Sequence, residues 1–300
     1  MNAAIRIGTR GSALALWQAH HVRDRLATLG HAVEIVPITT TGDRLQDRSL
    51  EAVGGKGAFL KEIEEALLAR EVDLAVHSLK DVPTQLPDGL ELCAFLERAD
   101  PRDALVSGSG ADLDALPAGA RLGTTSLRRQ SQIRARRPDL VLADLRGNVD
   151  TRLLRLREGA FDAILLAVAG ITRLGRAAEI TQVIPTEVLL PAPGQGAIAL
   201  ECRQGDAGLH AAVAPLHDAA TAAAVGAERA LLGALGGGCN VPLGALAEAH
   251  ASGLRLRAYV GSEDGRQSVT GDLTGDDPDA LGRRLASDLL ARGAGSILAS

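Results

Sequence analysis

Short apolar runs alternate with segments of helical periodicity over the first two hundred residues of the 300-residue chain. This alternation is typical of an α/β sheet. In the first hundred residues it predicts a strand, a helix, a strand, a helix and a strand, in that order, at 4–9, 12–30, 33–39, 59–71 and 72–78. Gly30 is expected to close the first helix, because glycine tolerates the left-handed backbone conformation that follows many helix ends.

The same pattern restarts after the segment ERADPRD, residues 97–103, which we interpret as the crossing into a second domain. A strand, a turn and a helix are predicted over 120–139, and a buried strand with a polar end over 161–175. Residues 189–203 are predicted to return through a Pro/Gly hinge as a further strand. The first two domains are therefore expected to share two connections.

A third, smaller unit is predicted from about residue 219. It begins with an Ala-rich helix that ends at a run of glycines, and continues with a hairpin that turns at Glu263–Gly265. A last helix is predicted over 278–293. This order of elements indicates an α+β domain at the end of the chain.

Two pairs of segments resemble each other. Residues 5–16 and 120–131 both run from a strand through Gly-Thr and a short turn to a serine and a helix, and residues 72–81 and 161–170 both run from an aspartate through an apolar strand to a loop. Two such lobes would direct strand ends and a helix N-terminus at a shared cleft, where ligands of α/β folds bind. The alternative is that two α/β domains resemble each other without sharing a site.

Composition limits the classes of function. Hydrophobic residues make up 46% of the chain, aromatic residues only 2%, and the net charge is −5. The scarcity of aromatic rings and the negative charge argue against binding to nucleic acid or to an anionic membrane surface. The first residues carry no apolar leader and no stretch is long enough to span a membrane, so we expect a cytoplasmic protein.

Eleven arginines lie in three segments of the second domain, at Arg128, Arg129, Arg134, Arg136, Arg137, Arg146, Arg152, Arg155, Arg157, Arg173 and Arg176. Arg128 and Arg129 follow Ser126 in the first turn of a helix, where backbone N–H groups and the helix dipole favour an anion. Three more are expected to complement the dipole at the far end of the same helix, namely Arg134, Arg136 and Arg137. A solvated basic face is the alternative, but the guanidinium forks at the turns favour a polyanion site.

The segment AVHSLKDVP, residues 75–83, ends a predicted buried strand with a lysine and an aspartate, Lys80 and Asp81. A carboxylate at the end of a strand can move protons or stabilise a developing cation. A simple Lys–Asp surface pair accounts for these residues equally well. The glycine-rich segment 54–59 lacks the spacing of a phosphate-binding loop and is interpreted as a lid that carries Lys56.

The three cysteines, Cys93, Cys202 and Cys239, are far apart and none belongs to a CxxC or Cys/His spacing. A disulfide framework and a structural zinc site are therefore not expected. Cys239 follows three glycines, which allow a bulky group to approach the backbone closely. A thiol-dependent hydrolase would need a base beside Cys239, and the sequence offers none nearby. With the disulfide, zinc and hydrolase interpretations not expected, attachment of a large group is the remaining interpretation of Cys239.

Nine motifs, in order along the chain, resemble those of the hydroxymethylbilane synthase family, also called porphobilinogen deaminases. They are IGTRGSALALWQA, VGGKGAF, AVHSLKDVP, RADPRDA (a variant of REDPRDA), GTTSLRRQ, LRGNVDTRL, AVAGITRLG, LPAPGQGA and ERALLGALGGGCNVPLG. The resemblance covers essentially the whole chain.

The resemblance implies an α/β enzyme with two periplasmic-binding-protein-like lobes around a cleft and a smaller C-terminal α+β domain. It places domain 1 at 1–98 and 194–217, domain 2 at 99–193 and domain 3 at 218–300. The implied activity belongs to tetrapyrrole, porphyrin and heme biosynthesis. It is the head-to-tail condensation of four porphobilinogen molecules with loss of ammonia, followed by hydrolytic release of linear hydroxymethylbilane.

The resemblance also implies a dipyrromethane cofactor held by a thioether to Cys239, with Asp81 as the catalytic acid and no metal. The residues that it implies for binding cofactor or substrate are Arg10, Ser12, Gln18, Lys56, Phe59, Lys80, Ser126, Arg128, Arg129, Arg146, Arg152, Arg173 and Gln195. The chain differs from some relatives at Ala52, where a lysine would contact substrate, and from many at Gly236, where an acidic residue is common. A cytoplasmic monomer is expected, and a non-catalytic two-lobed anion-binding protein is the alternative.

Overall fold

The computed structural model describes residues 4–44, 60–236 and 241–299. The chain divides into two compact units, the first formed by Met1–Ala99 with Ala197–Ala222 and the second by Asp100–Gly196 with Ala223–Ser300. The described residues form two five-stranded sheets and one three-stranded sheet.

The elements follow one another in three stretches of chain. Up to the first crossing they are β1 (Ile5–Arg10), α1 (Ala13–Thr28), β2 (Val33–Ile38), α2 (Thr41–Arg44), α3 (Lys61–Leu68), β3 (Leu74–Ser78) and β4 (Leu90–Phe95). In the part of the second unit before the chain re-enters the first unit at Ala197, they are β5 (Asp103–Ser107), β6 (Arg121–Gly123), α4 (Leu127–Arg136), β7 (Val141–Ala143), α5 (Val149–Arg157), β8 (Ala163–Ala167), α6 (Val168–Arg173) and β9 (Gln182–Ile184). The rest are β10 (Ile198–Arg203), α7 (Ala207–Val213), α8 (Ala219–Ala234), β11 (Leu243–His250), β12 (Gly253–Gly261), β13 (Ser268–Gly275), α9 (Pro278–Ala291) and α10 (Ala294–Leu298).

The two larger sheets have the same topology. The order in the first unit is β2-β1-β3-β10-β4, and in the second it is β7-β6-β8-β5-β9. In each sheet the first three strands are parallel and the fourth is antiparallel to both of its neighbours. The antiparallel strand is β5 after the chain has left the first unit and β10 after it has returned. The first strand after each passage between the units, β5 or β10, therefore occupies the fourth position of its sheet.

A repeated contact shows how closely the two sheets correspond. The Asp73 carboxylate accepts a hydrogen bond from the backbone N–H of Arg6 at 3.0 Å, and the Asp73 N–H donates to the Arg6 carbonyl at 2.9 Å. Asp162 and Arg121 make the same two bonds at 2.7 and 2.9 Å. Each aspartate thus fixes the strand that follows it beside the first parallel strand. The repeat that the sequence indicated is present in the backbone.

The first sheet is covered on both faces. On one face Leu26 of α1 and Leu209 of α7 contact Val76 and Leu200 of the sheet, all of them buried. On the other, Ile63 and other apolar residues of α3 cover Ala75 and Leu90. Alternate residues of β3 and β10 therefore enter different cores, as the period of two along a strand requires.

The three-stranded sheet is an antiparallel meander in the order β11-β12-β13. Helices α8, α9 and α10 bury one apolar core against it, with Leu231, Leu256 and Leu285 fully enclosed. Gly282 is where α9 meets α8, because a Cβ there would lie 2.5 Å from the Ala227 carbonyl oxygen. Only a glycine permits that approach.

Most predicted elements are confirmed within two residues at each end, including the first helix, after which Gly30 has φ +87°. The predicted polar end after the strand in 161–175 is instead the short helix α6, whose six residues are too few to show a helical period. None of the described helices combines the length and the apolar character needed to cross a membrane.

Candidate active site

The first unit places four predicted residues at one edge of its sheet. Arg10 ends β1, and Ser12 caps α1 by accepting a hydrogen bond from the Ala15 N–H at 3.3 Å. Lys80 and Asp81 lie in the 3-10 turn Leu79–Asp81 that directly follows β3. Since β1 and β3 are adjacent and parallel, their carboxyl ends meet at the edge where ligands of α/β sheets bind.

Gln18 holds the strand that leads to this turn. Its side chain is buried, and its Nε2 donates to the Ser78 Oγ at 2.7 Å. Ser78 is the last residue of β3, immediately before the turn that carries Lys80 and Asp81. The side chains of Lys80 and Asp81 are half-buried, so solvent still reaches them.

The second unit repeats the arrangement with arginines. The carboxyl ends of its three parallel strands lead to Ser126 after β6, Arg146 after β7 and Arg173 at the end of α6 after β8. Ser126 is the N-cap residue of α4, but its side chain makes no capping hydrogen bond. Arg152, in the first turns of α5, donates from Nε to the Gly147 carbonyl at 2.7 Å.

Arg128 and Arg129 are buried and bind a carboxylate of the protein itself. Arg128 Nη1 donates to Asp103 Oδ2 at 2.7 Å, and Arg129 donates to Asp103 Oδ1 from Nε at 3.1 Å and from Nη2 at 2.6 Å. Asp103 is fully enclosed. The observed ion pairs are internal, and the role predicted for these two arginines toward a ligand stays a prediction.

The positive charges of Arg128 and Arg129 oppose the effect of burial on the Asp103 carboxylate. Burial by itself would raise the pKa of Asp103, but the positive charges of Arg128 and Arg129 outweigh it and hold that pKa well below its usual value. Burial, together with the charge of Arg129, lowers the pKa of Arg128 against the opposing effect of Asp103, yet a guanidinium stays protonated at any pH at which proteins fold.

The Pro/Gly segment before β10 is fixed by side chains from several elements. Gln195 Nε2 donates to the Pro101 carbonyl at 2.7 Å and to Asp103 Oδ1 at 3.0 Å. The buried Glu228 of α8 accepts from the Gly194 N–H at 2.6 Å and from the Ala247 N–H at 2.8 Å. These bonds tie the return crossing to the outgoing one and to the C-terminal domain.

Arg173 is a half-buried cation at the end of α6. Its Nη2 donates to the Gly196 carbonyl at 2.7 Å, and burial lowers its pKa to about 10. Burial also lowers the pKa of Arg229, on α8. An anionic ligand would offset the desolvation that both groups experience.

Three predicted site residues lie outside the described residues, namely Lys56, Phe59 and Cys239, and so does Ala52. Gly236 precedes Cys239 in the chain and has φ +93°. Side chains other than glycine rarely adopt this conformation, so glycine suits the backbone at this position.

Some residues that shape the site were not predicted, above all Asp103, Glu228 and Arg229. Asp103 opens the apolar strand β5 and Glu228 lies in the Ala-rich helix α8, and an acid within an apolar segment of an arginine-rich sequence is a signal for an internal ion pair. The three arginines expected to complement the helix dipole bind other groups: Arg134 donates to the Glu263 carbonyl, Arg136 pairs with Asp114 at 2.7 Å, and Arg137 pairs with Asp139 at 2.7 Å.

The fold and these residues define an α/β protein with an acid at the edge of one sheet, arginines at the edge of a second, and a smaller C-terminal domain. The family model "Porphobilinogen deaminase, dipyromethane cofactor binding domain" matches residues 5–211, and "Porphobilinogen deaminase, C-terminal domain" matches residues 222–291. The chain therefore belongs to the porphobilinogen deaminase family.

Curated relatives agree with this assignment. The porphobilinogen deaminases of Stenotrophomonas maltophilia strains K279a and R551-3 are each 54% identical to this chain over 298 residues, which is 98% of both chains. A solved periplasmic substrate-binding protein of an ABC transporter from Coxiella burnetii aligns with a TM-score of 0.44 and 16% identity, over 72% of this chain and 93% of that one.

Porphobilinogen deaminases are transferases, and the chain is an enzyme of this class. Residues 5–211 contain the family's dipyrromethane cofactor binding domain. The alternative of a non-catalytic two-lobed anion-binding protein is not favoured by these matches.

Proposed function

We propose that this chain acts as a hydroxymethylbilane synthase. It joins four porphobilinogen molecules head to tail, releases one ammonia at each addition, and finally releases linear hydroxymethylbilane by hydrolysis. The observation that carries the proposal is the match of both family models to 5–211 and 222–291, together nearly the whole chain. The residues at the two sheet edges have the charges that this reaction requires.

Asp81 is proposed as the catalytic acid. In each addition the aminomethyl C–N bond breaks, ammonia leaves, a C–C bond forms to a pyrrole α-carbon, and that carbon loses its proton. Positive charge develops on pyrrole nitrogens during both the loss of ammonia and the bond formation. A carboxylate facing those N–H groups stabilises the charge and can relay the proton. The turn after β3 holds Asp81 where solvent and substrate can reach it.

The cations are proposed to bind the carboxylates of the growing chain, because each pyrrole carries an acetate and a propionate group. Arg10, Ser12 and Lys80 would act from the first unit, together with the predicted lid residues Lys56 and Phe59. The second unit would contribute Ser126, Arg146, Arg152 and Arg173. Since a guanidinium donates in a planar fork, each arginine can hold one carboxylate through two bonds.

The residues present also fit the dipyrromethane cofactor. The Ser126 hydroxyl makes no capping bond, so the N-terminus of α4 can donate to a carboxylate there, and Arg173 is a cation that burial has partly desolvated. Cys239 is proposed as the thioether anchor. A bound dipyrromethane supplies a free pyrrole α-carbon as the acceptor for the first substrate unit.

The internal ion pair suggests a division of labour among the arginines. Arg128 and Arg129 are proposed to approach the ligand from a position fixed by Asp103 and by the Leu190 and Leu165 carbonyls, which leaves part of each guanidinium as a donor. Gln195 holds the same carboxylate and would act on the ligand through it. The enzyme is further proposed to be a cytoplasmic monomer that requires neither nucleic acid nor a membrane.

The intact mass of the purified full-length protein tests this proposal. Active protein is expected to exceed its sequence mass by two linked pyrrole units, and Cys239→Ser is expected to lose both the excess and the activity. The matched control is Cys93→Ser, which should retain the excess mass. Active protein with an unmodified mass would sink the assignment.

A further inference from the structure

Three side chains with metal-ligating atoms converge at the first unit, away from Asp81. They are Glu91 on β4, Cys202 on β10 and His210 on α7, and their ligand atoms all lie within 4.8 Å of one another. The His210 Nε2 is 3.6 Å from the Cys202 Sγ and 3.0 Å from the Glu91 Oε1.

The fold fixes this convergence. Cys202 and Glu91 are directly paired across the antiparallel strands β10 and β4, so their side chains share one face of the sheet. Helix α7 covers that face, with Leu209 in the same apolar core as Cys202. Asp206 caps α7 by accepting from the Leu209 N–H at 3.1 Å, which places His210 in the first turns of the helix.

The second cysteine lies beside the first. The register of β4 and β10 shifts between Leu200 and Glu201, and Cys93 is the residue of β4 at this bulge. Cys93 packs against the core that contains Cys202, and its thiol donates to the Leu200 carbonyl at 3.4 Å. A bulge commonly redirects a side chain, here toward a backbone carbonyl.

The Cys202 sulfur and the Glu91 carboxylate both approach the same nitrogen of His210, and this distinguishes a metal site from a histidine-activated nucleophile. A nucleophile activated by a histidine uses one ring nitrogen, while the orienting carboxylate binds the other. Here the sulfur and the carboxylate oxygen both face Nε2, which does not form such a relay. Three unlike donors around one point is instead the arrangement that a cation requires. Bond lengths of about 2.0–2.3 Å in tetrahedral zinc sites imply separations of roughly 3.3–3.6 Å between ligand atoms.

We propose that Glu91, Cys202 and His210 bind Zn²⁺ or a similar borderline divalent cation. Thiolate and imidazole favour such metals over Mg²⁺ or Ca²⁺. Binding releases the Cys202 thiol proton. The side chains of His210 and Glu91 are 37% and 38% exposed, which provides an entry path and leaves the fourth position to water. Glu91 lies more than a hundred residues from His210, and Cys202 and His210 are eight residues apart, so the sequence shows no CxxC or Cys/His zinc spacing.

The position of the site indicates what the metal would do. Cys202 pairs with Leu74 at the start of β3, whereas Asp81 follows the end of that strand. With a rise of about 3.3 Å per residue, the ion lies at the opposite end of the sheet from the acid. It would link β4, β10 and α7, and so stabilise the first unit without entering the reaction.

The test uses the full-length protein, reduced and freed of metal with a chelator, then titrated with Zn²⁺ and with Co²⁺. We expect one equivalent to bind, a higher midpoint of thermal unfolding with Zn²⁺, and with Co²⁺ a thiolate charge-transfer band and intense tetrahedral d–d bands. Cys202→Ser should remove the charge-transfer band, and His210→Ala should weaken Zn²⁺ binding by at least about 100-fold. Turnover should not depend on the metal.

Two controls keep the result interpretable. His250→Ala removes an exposed histidine whose Nδ1 hydrogen-bonds Ser252, outside the proposed ligands, and should leave binding unchanged. Cys239→Ser should keep the cobalt band, which assigns the thiolate to Cys202. Because Cys202 is buried, Glu91→Gln provides a second variant that spares the core, and it should also weaken binding. The absence of a bound equivalent, or equal binding by the His210→Ala protein, would overturn the proposal.

Discussion

The His77 imidazole and the Glu201 carboxylate are buried side by side on neighbouring strands, with Nε2 and Oε2 2.9 Å apart. His77 belongs to β3, two residues before its turn begins, and Glu201 belongs to the returning strand β10. Both side chains face helix α3, where Glu64 approaches them. Strand β3, which leads to Asp81, is thus held by the buried His77–Glu201 contact beneath α3 and by the hydrogen bond from Gln18 to Ser78 at its end.

Glu64 gives this cluster a pH dependence. Burial, and next the negative charge of Glu201, raise the pKa of Glu64 to about 7, while the charge of His77 opposes them. A carboxyl whose folded-state pKa is raised contributes stability below its unfolded value of about 4.3 and loses it as the pH rises through 7. We expect Glu64→Gln to gain stability relative to the parent between pH 4.5 and 8, by on the order of 1–2 kcal/mol because the group is only half-buried.

Chemical denaturation at a series of pH values measures that difference. Glu65→Gln, which alters an exposed carboxylate on the same helix, is the matched control. If the free energies of unfolding of the parent and Glu64→Gln run parallel from pH 4.5 to 8, the charge of Glu64 is not coupled to the fold.

Asp103 is expected to be the most sensitive acid of the second unit. Replacing it with asparagine leaves the guanidiniums of Arg128 and Arg129 buried without their counter-charge, which we expect to cost about 3–5 kcal/mol of unfolding free energy at pH 7. The pKa of Asp103 is lowered, so its contribution is present above the unfolded value of about 3.9 and is lost as the pH falls below it. The difference between Asp103→Asn and the parent should therefore shrink in acid.

The control for Asp103 is an exposed pair in the same unit. Asp114 binds Arg136 at 2.7 Å, and Asp114→Asn should change stability by no more than about 1 kcal/mol. If Asp103→Asn kept its stability but lost the ability to bind substrate, Arg128 and Arg129 would serve the ligand rather than the fold.

Periodicity predicted the larger elements because each has enough residues to show its repeat and a clear stop. Helix α1 ends at Thr28, just before Gly30, and β1, β2 and β3 are apolar runs between polar segments. It failed for α6, whose six residues show no full repeat, and it could not show that β10 pairs between β3 and β4, since that contact joins residues more than a hundred positions apart.

The candidate site was predictable where residue type and strand end coincide, as for Asp81 after β3. It was less predictable for Arg128 and Arg129, because a guanidinium that binds an external carboxylate and one that binds Asp103 look identical in sequence. What decides between them is burial, which depends on the pairing of β5 with β8 and β9. The same limit hid the convergence of Glu91 with Cys202 and His210, which depends on the pairing of β4 with β10.

Variants of Gln18 and Ser78 distinguish two roles for Gln18, namely holding the end of β3 before Asp81 and contacting the substrate. Because its Nε2 donates to the Ser78 Oγ, we expect Gln18→Ala and Ser78→Ala each to lower kcat by about 5-fold, the loss of one hydrogen bond of about 1 kcal/mol, with little change in KM. The double variant should be no slower than either single one. Additive effects, or an increase in KM confined to Gln18→Ala, would mean that Gln18 contacts substrate directly.

Asp81→Asn tests the proposed acid most directly. Asparagine keeps the size and the oxygen of the side chain but removes its charge, so binding of porphobilinogen should persist while charge stabilisation and proton transfer are lost. We expect kcat for release of ammonia to fall by at least about 100-fold with an unchanged thermal midpoint. Asp88→Asn, an exposed acid before β4, is the matched control and should turn over normally. Near-normal turnover by a folded Asp81→Asn protein would place the acid elsewhere, and restored activity in Asp81→Glu would support a carboxylate at this turn.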